Sequence, residues 1–507
     1  MTDCGQIFDL AIIGGGINGV GIARDAAGRG LSVFLAEAND LGGATSSSSS
    51  KLIHGGLRYL EYKEFRLVRE ALAEREVLRA SAPHIVTPMR FVLPHVPAMR
   101  PRILIRLGLF IYDHLSKRQT IPCSTVNNLD VSSAGAPLLD IYRHGFTYWD
   151  CWADDARLVL INAMSASQLG ADIRTRSICL GAKRHDGHWL LRLRNETTGT
   201  TYEVSARGLI NAAGPWVGRV LTGIATENHE PLTADMRLVK GSHIVVPRLA
   251  ECNGDDAYIL QNSDGRVVFV LPFESRFSLI GTTDVPYKGD PKNVRIDDAE
   301  TRYLLNAVGR FFKHAPSSKD IVWSFSGVRP LYNDDESVSA SAVTRDYRLQ
   351  LDDQEEKPPL LTIIGGKLTT YRRLAEEALE KLSPSLNILH GAWTASETLP
   401  GGRLPAPDLA TYTETLMRRH EKWDRHLIAG LVRRHGSCVE EVIGDSHNQE
   451  DMGQHIGNDL YEREICYMSE NEWAKTPEDV LWRRTKTGLH LSSYECKRAI
   501  DTVTEIL

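Results

Sequence analysis

Apolar residues at the start of the chain follow a strand, helix, strand order. Phe8–Ile13 is a short, mostly apolar run, which is typical of a strand buried in a parallel sheet. Ile17–Gly28 carries small and aliphatic residues that let a helix lie close to a sheet, and Leu31–Ala36 is a second apolar run. With the glycine turn Gly14–Gly19 between them, these runs predict a βαβ unit.

Helical and strand-like patterns continue through the middle of the chain. The spacing of apolar residues predicts helices over Glu64–Ser81, Asp154–Leu169 and Thr369–Leu382. Alternating segments between residues 189 and 204 predict a small antiparallel meander. Runs rich in Val, Ile, Leu and Phe predict strands at Gly208–Ala213, Ser242–Pro247, Arg266–Leu271, Phe277–Gly281 and Leu360–Ile364.

The pattern changes after about residue 395. A stretch rich in Pro and Gly comes first, and it is typical of a linker. Helical patches with paired basic residues follow, at Arg418-Arg419, Arg433-Arg434 and Arg483-Arg484. This part of the chain is therefore predicted to form a separate small helical domain.

The composition is that of an ordinary globular protein. Of the 507 residues, 42% are hydrophobic and 24% are charged, which excludes disorder for most of the chain. Lys and Arg total 59 against 65 Asp and Glu, so the net charge of −6 gives no indication of nucleic-acid binding. The eight cysteines are scattered without a CxxC pair, so we expect no metal site, no disulfide framework and a reducing cytoplasm.

Targeting and membrane signals are weak. The first ten residues carry no basic region, so we expect no signal peptide. No apolar run approaches the roughly 18 residues that a membrane span requires. The nearest, Ile103–Tyr112, is interrupted by Arg106, so we expect contact with a membrane surface at most.

The glycine turn matches the GxGxxG pattern of dinucleotide-binding folds. Gly14 permits the tight turn, Gly16 lets backbone N–H groups approach a pyrophosphate, and Gly19 lets the helix pack on the strand. Glu37 closes the second strand 18 residues after Gly19, where an acid can bind the ribose hydroxyls of an adenosine. The context therefore predicts a dinucleotide site, with a surface carboxylate as the alternative for Glu37.

The distribution of glycine turns favours FAD over NAD. Such turns follow apolar strands at Gly14–Gly19, at Gly214 and at Gly365-Gly366, far apart in the chain. A nucleotide fold interrupted by a second domain suits an FAD enzyme, in which the flavin lies across the domain boundary. The predicted fold is α/β and α+β: a Rossmann-like FAD-binding domain interrupted by a β-rich substrate domain, followed by an all-helical C-terminal domain.

This prediction divides the chain into an FAD-dependent core, residues 1–395, and the helical domain, residues 396–507. Within the core, segments of roughly 1–80, 150–235 and 345–395 are predicted to bind FAD. Segments of roughly 81–149 and 236–344 are predicted to bind the substrate.

The segment Thr45–Tyr59, TSSSSSKLIHGGLRY, is rich in candidate ligands. The hydroxyls of Thr45 and Ser46 could donate to a diphosphate or ribose, and Lys51 could neutralise phosphate charge. His54 precedes two glycines that allow close approach to a ring. By composition alone the overlapping stretch Ala44–Lys51 looks like a flexible linker, and a solvated loop is the alternative for Thr45–Tyr59.

Four further strings place charged residues near glycines: Lys240–His243 (KGSH), Gly281–Asp284 (GTTD), Ser326–Leu331 (SGVRPL) and Gly365–Tyr371 (GGKLTTY). Each alone could be a turn with a surface charge. The last precedes a helix, so its N-terminal amides would favour a negative group.

Taken in order, HGGLRYL, KGSHIVVP, IGTTD, SGVRPL and GGKLTTYR resemble the FAD-dependent glycerol-3-phosphate dehydrogenases of the bacterial aerobic, membrane-associated type. The resemblance runs from about residue 8 to the end, and Gly42-Gly43 is a small departure. It implies oxidation of sn-glycerol 3-phosphate to dihydroxyacetone phosphate by hydride transfer to FAD. Electrons would then pass to ubiquinone or menaquinone.

The resemblance also implies roles for individual residues. It places His54, Arg329 and Lys367 at the flavin face and His243 near the substrate. Arg329 is expected to stabilise the developing alkoxide, since a guanidinium does not act as a base, and either His54 or His243 is expected to be the base.

The substrate-binding set is Arg58, Tyr59, Arg345 and Thr283, with the arginines and the tyrosine as a phosphate clamp. Gly214, Gly366, Lys367 and Leu368 complete the cofactor-binding set, in which Lys367 would favour an anionic reduced ring.

A quinone acceptor implies a peripheral protein on the cytoplasmic face of the inner membrane. Arg102–Arg118 mixes apolar and basic residues, and the C-terminal domain carries paired basic residues together with Trp423, Trp473 and Trp482, which suits an anionic lipid surface. A core helix with snorkelling arginines is the alternative for Arg102–Arg118.

Three other functions stay open: an oxygen-using glycerol-3-phosphate oxidase, a flavin amine or amino-acid oxidase, and a flavin-binding scaffold. A homodimer also stays open as the oligomeric state.

Overall fold

The computed structural model describes residues 6–96, 99–117, 120–225, 236–249, 255–332, 347–353 and 357–507. Arg345, predicted to bind the substrate, lies outside these residues. Within them the chain forms two large sheets, a layer of helices on the first sheet, and a C-terminal helical unit.

The strands are β1 (Ile7–Ile13), β2 (Val33–Ala36), β3 (Leu52–Ile53), β4 (Val86–His95), β5 (Thr125–Asn128), β6 (His144–Ala153), β7 (Asp172–Arg174), β8 (Ser177–His185), β9 (His188–Asn195), β10 (Thr201–Asn211), β11 (Ile224–Ala225), β12 (Met236–Pro247), β13 (Ala257–Gln261), β14 (Val267–Phe273), β15 (Phe277–Gly281), β16 (Val285–Pro286), β17 (Trp323–Tyr332), β18 (Arg348–Asp352), β19 (Leu360–Ile364), β20 (His455–Gly457) and β21 (Leu460–Tyr461). The helices are α1 (Ile17–Gly28), α2 (Phe65–Ser81), α3 (Arg102–His114), α4 (Asp155–Gln168), α5 (Val217–Thr222), α6 (Asp298–Gly309), α7 (Tyr371–Leu386), α8 (Leu409–Arg419), α9 (Arg425–His435), α10 (Val439–Ile443), α11 (Glu462–Asn471) and α12 (Ser493–Ile506).

The first sheet has a parallel centre in which β19, β10, β1, β2 and β7 lie side by side. The apolar runs predicted to be buried strands form this centre, and β1, β2 and β19 are buried along most or all of their length. Helices α1, α4 and α7 pack together beside it, and their apolar residues share one core cluster. The βαβ unit and the helix over 17–28 are as predicted.

The second sheet is mostly antiparallel and carries β3 to β6 and β12 to β17. Its longest pairing joins β12 to β17, from Met236 opposite Tyr332 to Val245 opposite Trp323. In this register Val239 lies opposite Arg329, Gly241 opposite Gly327, and His243 opposite Phe325. Residues two apart on a strand face the same side, so these pairs share one face of the sheet.

The C-terminal unit contains α8 to α12 together with a short hairpin, β20 and β21. It is helical, as predicted, with this hairpin in addition. Buried ion pairs tie it to the rest of the chain: Glu472 binds Arg157, Lys486 binds Asp154, and Arg484 binds Asp40. Among the described residues, no helix is both long and apolar enough to span a membrane.

The predicted division into FAD-binding and substrate-binding segments stays a proposal. Strands of the first sheet come from residues 7–36, 172–225 and 348–364, and those of the second from 52–53, 86–153 and 236–332. The chain therefore crosses between the two sheets several times.

Candidate active site

The glycine turn between β1 and α1 is closed too tightly for side chains. Gly14 has a φ of +112°, in the region that favours glycine. A Cβ on Gly19 would lie 1.9 Å from the carbonyl oxygen of Gly14. At the start of α1 the hydroxyl of Ser46 accepts a hydrogen bond from the backbone N–H of Ile17 at 3.0 Å. The turn therefore brings backbone close to the N-terminus of α1, as the binding of an FAD pyrophosphate requires.

Glu37 lies directly beside this turn. Its carboxylate accepts hydrogen bonds from the backbone N–H groups of Gly15, at 2.7 Å, and Asn39, at 2.8 Å. Burial raises the pKa of Glu37, although these backbone donors oppose the effect. The carboxylate is thus held in one orientation at the end of β2, and its contact with an adenosine ribose stays a prediction.

The serine tract Thr45–Ser50 is held by partners over its whole length, so the linker suggested by its composition is wrong. Thr45 donates its hydroxyl hydrogen to the carbonyl of Val328 at 2.7 Å. Ser49 donates to Asp155 at 2.8 Å, and the Ser50 hydroxyl lies 3.0 Å from Nε2 of His243. These bonds fix the tract against β12, β17 and α4.

Lys51 is buried at the end of this tract, with a positive φ of 58°. Its ammonium group donates to Asp155 at 2.6 Å and to the carbonyl of Ser47 at 3.2 Å. Lys51 thus neutralises the buried carboxylate of Asp155 and holds the serine tract in place. These contacts explain its buried ammonium group without the predicted contact to a phosphate. Asp155 was missed by the sequence analysis, because its partner is 104 residues away.

Arg329 lies on β17, and its guanidinium donates hydrogen bonds to Asp284 and Thr282. Nη1 donates to Oδ1 of Asp284 at 2.5 Å, and Nη2 donates to Oγ1 of Thr282 at 3.0 Å. Its side chain is 25% exposed. A Cβ on Gly241 would lie 2.5 Å from Nη2, which explains the small residue on the neighbouring strand.

His243 is fully enclosed. Its ring stacks on Phe325 at a centroid distance of 4.8 Å, and its Nδ1 has no hydrogen-bond partner among the described residues. Burial, with the charges of Arg329 and Lys51, lowers the pKa of His243 well below its usual range. The imidazole is therefore neutral at physiological pH and a weak base.

His54 and Tyr59 each contact the segment that leads into α7. The backbone N–H of His54 donates to the Thr369 hydroxyl at 3.3 Å, and the Lys367 ammonium lies 4.2 Å from the centroid of the Tyr59 ring. The His54 side chain is half-buried. Arg58 instead faces Tyr62, to whose hydroxyl it donates at 3.3 Å.

The glycine turns at both ends of the core are joined directly. Asn18, within the first turn, donates to the carbonyl of Gly365 at 3.1 Å, and its Oδ1 is buried without a partner among the described residues. Gly366 is exposed and Leu368 is half-buried beside it. Gly214 has a φ of +54° and open space around its α-carbon.

Thr283 does not face an open surface. Its hydroxyl accepts from the backbone N–H of Ser242 at 2.9 Å and donates to Glu300 at 2.6 Å. Glu300 also pairs with Lys240 at 2.7 Å. Because both hydrogen-bonding functions of Thr283 are used inside the protein, the structure assigns it to a buried support beneath Thr282 and Arg329, not to direct substrate contact.

Comparisons with known proteins agree with this geometry. The model of the FAD dependent oxidoreductase family matches residues 9–372, and that of the C-terminal domain of alpha-glycerophosphate oxidase matches residues 392–507. A solved glycerol-3-phosphate dehydrogenase from Bacillus halodurans, complexed with FAD, superposes with a TM-score of 0.75 at 26% identity over 99% of this chain and 95% of its own. The chain therefore belongs to the FAD-dependent oxidoreductase family, and FAD is its cofactor.

The similar relatives are more specific. Glycerol-3-phosphate dehydrogenase from Pseudomonas aeruginosa is 53% identical over 96% of this chain and 93% of its own length. Aerobic glycerol-3-phosphate dehydrogenase from Escherichia coli is 50% identical, over 98% and 97%. D-erythritol 1-phosphate dehydrogenase from Brucella abortus is 49% identical, over 97% and 96%. The resemblance to glycerol-3-phosphate dehydrogenases is thereby confirmed.

Proposed function

We propose that the protein oxidises sn-glycerol 3-phosphate to dihydroxyacetone phosphate and passes the electrons through FAD to a membrane quinone. The observation that carries the proposal is the guanidinium of Arg329, which Asp284 and Thr282 hold in one orientation while a quarter of the side chain stays exposed. The names of the P. aeruginosa and E. coli relatives support the substrate.

When bound, FAD supplies the hydride acceptor. Arg329 orients the secondary hydroxyl and stabilises the charge that develops on its oxygen as the proton leaves. Asp284 and Thr282 keep the guanidinium in that orientation. Lys367 adds positive charge beside Tyr59.

We favour His54 over His243 as the base that takes the hydroxyl proton. His243 is buried and hydrogen-bonded to Ser50 through Nε2, and its lowered pKa makes it a poor proton acceptor at neutral pH. In this proposal His243 instead positions the serine tract, and Arg58, Tyr59 and Arg345 hold the phosphate.

D-erythritol 1-phosphate is the second candidate substrate, because one relative named for it is 49% identical. Both compounds are phosphorylated polyols, so the same clamp and the same Arg329 would serve either. Oxygen is the alternative acceptor, since the family model of the C-terminal unit is named for an oxidase.

Anaerobic titration of the holoenzyme, followed at the flavin absorbance, tests the proposal. We expect sn-glycerol 3-phosphate to bleach the flavin at lower concentration than D-erythritol 1-phosphate, and Arg329→Ala to slow the bleaching by about a hundredfold. Arg425→Ala, which removes an exposed arginine of α9, is the control. A flavin that neither compound bleaches would contradict the proposal, and stoichiometric peroxide in air would favour the oxidase.

We further propose that the protein docks on the cytoplasmic face of the inner membrane through α3. Four apolar side chains of this helix are at least half exposed: Ile103, Leu104, Leu107 and Phe110. Arg102 and Arg106 lie among them and complement anionic headgroups. A homodimer stays a prediction.

A further inference from the structure

The backbone on both sides of the His54 α-carbon is held by hydroxyl groups from two distant parts of the chain. The N–H of His54 donates to the hydroxyl of Thr369, which lies just before α7, at 3.3 Å. The next N–H, that of Gly55, donates to the hydroxyl of Tyr112 on α3 at 2.9 Å. Because the α-carbon of His54 lies between these two N–H groups, the two hydrogen bonds together fix the point from which its imidazole extends.

The Tyr112 hydroxyl accepts one hydrogen bond and donates another. Its hydrogen goes to the carboxylate of Asp150, whose oxygens lie 2.8 and 2.9 Å from the tyrosine oxygen. Arg75 donates to the same carboxylate at 2.7 Å and balances its charge, and all three side chains are buried. Burial, with the charge of Asp150, raises the pKa of Tyr112 well above its usual range, so the hydroxyl stays protonated. Since a carboxylate only accepts, the hydroxyl hydrogen is directed to Asp150 and a lone pair is left for the Gly55 N–H.

Gly55 is packed against Tyr112 without room for a side chain. A Cβ on Gly55 would lie 2.7 Å from the Tyr112 hydroxyl oxygen and 2.6 Å from Cδ2 of Leu72 on α2. A larger residue would therefore push the Gly55 N–H away from the hydroxyl and shift the backbone that carries His54.

A row of aromatic rings also connects Tyr112 to the His54 side chain. The Tyr112 ring meets Tyr148 edge to face at a centroid distance of 5.9 Å, and Tyr148 stacks on Phe91 at 5.3 Å. Phe91 meets Phe269 at 6.3 Å, and Phe269 meets the His54 ring at 6.4 Å, both edge to face. These are separations that aromatic pairs prefer. Tyr112 thus supports His54 twice, at the backbone through its hydroxyl and at the imidazole through this row.

We infer that Tyr112 is a positioning residue for His54: its hydroxyl holds the backbone so that the imidazole meets the substrate hydroxyl within hydrogen-bond reach. The inference rests on the proposed function, in which His54 is the base, and it adds the group that aims this base. A base must approach the proton-bearing oxygen to about 2.6–3.2 Å, so a backbone shift of about 1 Å is enough to slow proton transfer. Because the Tyr112 hydroxyl stays protonated, it acts on the reaction only through His54.

A double-mutant cycle of Tyr112→Phe and His54→Ala in the holoenzyme tests the inference. Tyr112→Phe keeps the ring and the pair of Asp150 with Arg75, and removes only the oxygen that the Gly55 N–H requires. In rapid mixing with sn-glycerol 3-phosphate, the maximal rate of flavin reduction should fall about tenfold, with flavin content and half-saturating substrate concentration unchanged. In the His54→Ala background the same substitution should change the rate by less than about twofold, because the base that it aims is gone.

Tyr258→Phe is the matched control. It removes the hydroxyl of another buried tyrosine, which donates to the carbonyl of Ala134 at 2.9 Å, and it should reduce at the wild-type rate. Gly55→Ala displaces the same hydrogen bond from the other side and is the second variant if Tyr112→Phe does not retain its flavin. It too should slow reduction in the wild-type background and not in the His54→Ala background.

Amide hydrogen exchange at Gly55, measured in the holoenzyme without substrate, gives a readout that does not depend on the reaction. Loss of the hydroxyl should make exchange of this N–H about tenfold faster in Tyr112→Phe than in the wild type. Equal slowing of flavin reduction in both backgrounds, no slowing in either, or unchanged exchange would each overturn the inference. A wild-type flavin that sn-glycerol 3-phosphate does not reduce would instead contradict the proposed function, and the exchange rate alone would then decide whether Tyr112 holds the His54 segment.

Discussion

At the scale of the residue, the parts of the site that depend on near neighbours could be predicted. Gly14, Gly19 and Glu37 lie within one βαβ unit, so their spacing alone indicates the dinucleotide turn. The roles of Lys51 and Thr283 could not be predicted in this way. Their partners, Asp155 and Glu300, lie 104 and 17 residues away. Only the folded chain shows that Asp155 neutralises the charge of Lys51 and that Glu300 accepts a hydrogen bond from Thr283.

Gly19→Ala should abolish FAD binding. The added methyl group would lie 1.9 Å from the Gly14 carbonyl oxygen, so α1 would have to move away from β1. The flavin content of the purified protein measures the effect, and we expect less than about a tenth of the wild-type content. Gly218→Ala, where the nearest atom outside the helix is 4.0 Å away, should keep full flavin; equal flavin in both variants would contradict the steric argument.

At the scale of the element, the sequence indicated helices and strands well but not which face of each is covered. The apolar and basic pattern of Arg102–Arg118 was interpreted as a membrane-contacting stretch, with a core helix as the alternative, and α3 spans Arg102–His114. Its Leu109 and Tyr112 are buried while Ile103 is 85% exposed, a division that depends on the packing of α3 against the second sheet.

The interpretation of Trp423 as part of a lipid-facing surface was wrong, because it is buried in the core of the C-terminal unit.

Replacing the exposed leucines of α3 should detach the protein from lipid. The double variant Leu104→Glu with Leu107→Glu removes two apolar side chains that are about half exposed and adds charge that anionic lipid repels. Flotation with anionic liposomes should show partitioning at least tenfold weaker, since each buried leucine contributes about 1.5–3 kcal/mol. Val131→Glu with Leu389→Glu, exposed elsewhere, is the matched control; equal flotation of both double variants would argue against docking through α3.

At the scale of the whole molecule, buried charges couple the C-terminal unit to the core. Glu472 of the unit accepts two hydrogen bonds from Arg157 of α4, at 2.7 and 2.9 Å. Burial alone would raise the pKa of Glu472, but Arg157 and His435 lower it below its usual range. This carboxylate therefore adds stability above its unfolded pKa of about 4.3, and the contribution is lost as the pH falls through the lower folded value.

Glu472→Leu should destabilise the protein by about 3–5 kcal/mol, because it leaves the Arg157 charge buried without its partner. Arg157→Met combined with Glu472→Leu should restore part of this loss, since no charge is then unpaired. Thermal unfolding at a fixed scan rate and neutral pH measures both variants. Glu414→Leu, which breaks the exposed pair with Arg425, should cost less than about 1 kcal/mol. A double variant as unstable as Glu472→Leu would contradict the electrostatic explanation.

The interleaving of the two sheets has a consequence for the order in which the newly made chain can fold. In the first sheet β1 pairs with β10, where Ile7 lies opposite Ser205, and β10 pairs with β19, where Leu209 lies opposite Leu360. A ribosome must therefore release more than two thirds of the chain before this sheet can close. Until then β1 pairs on one side only, with β2. FAD can therefore stabilise the protein only late in synthesis, and the apolar β1 lacks its final packing in the meantime.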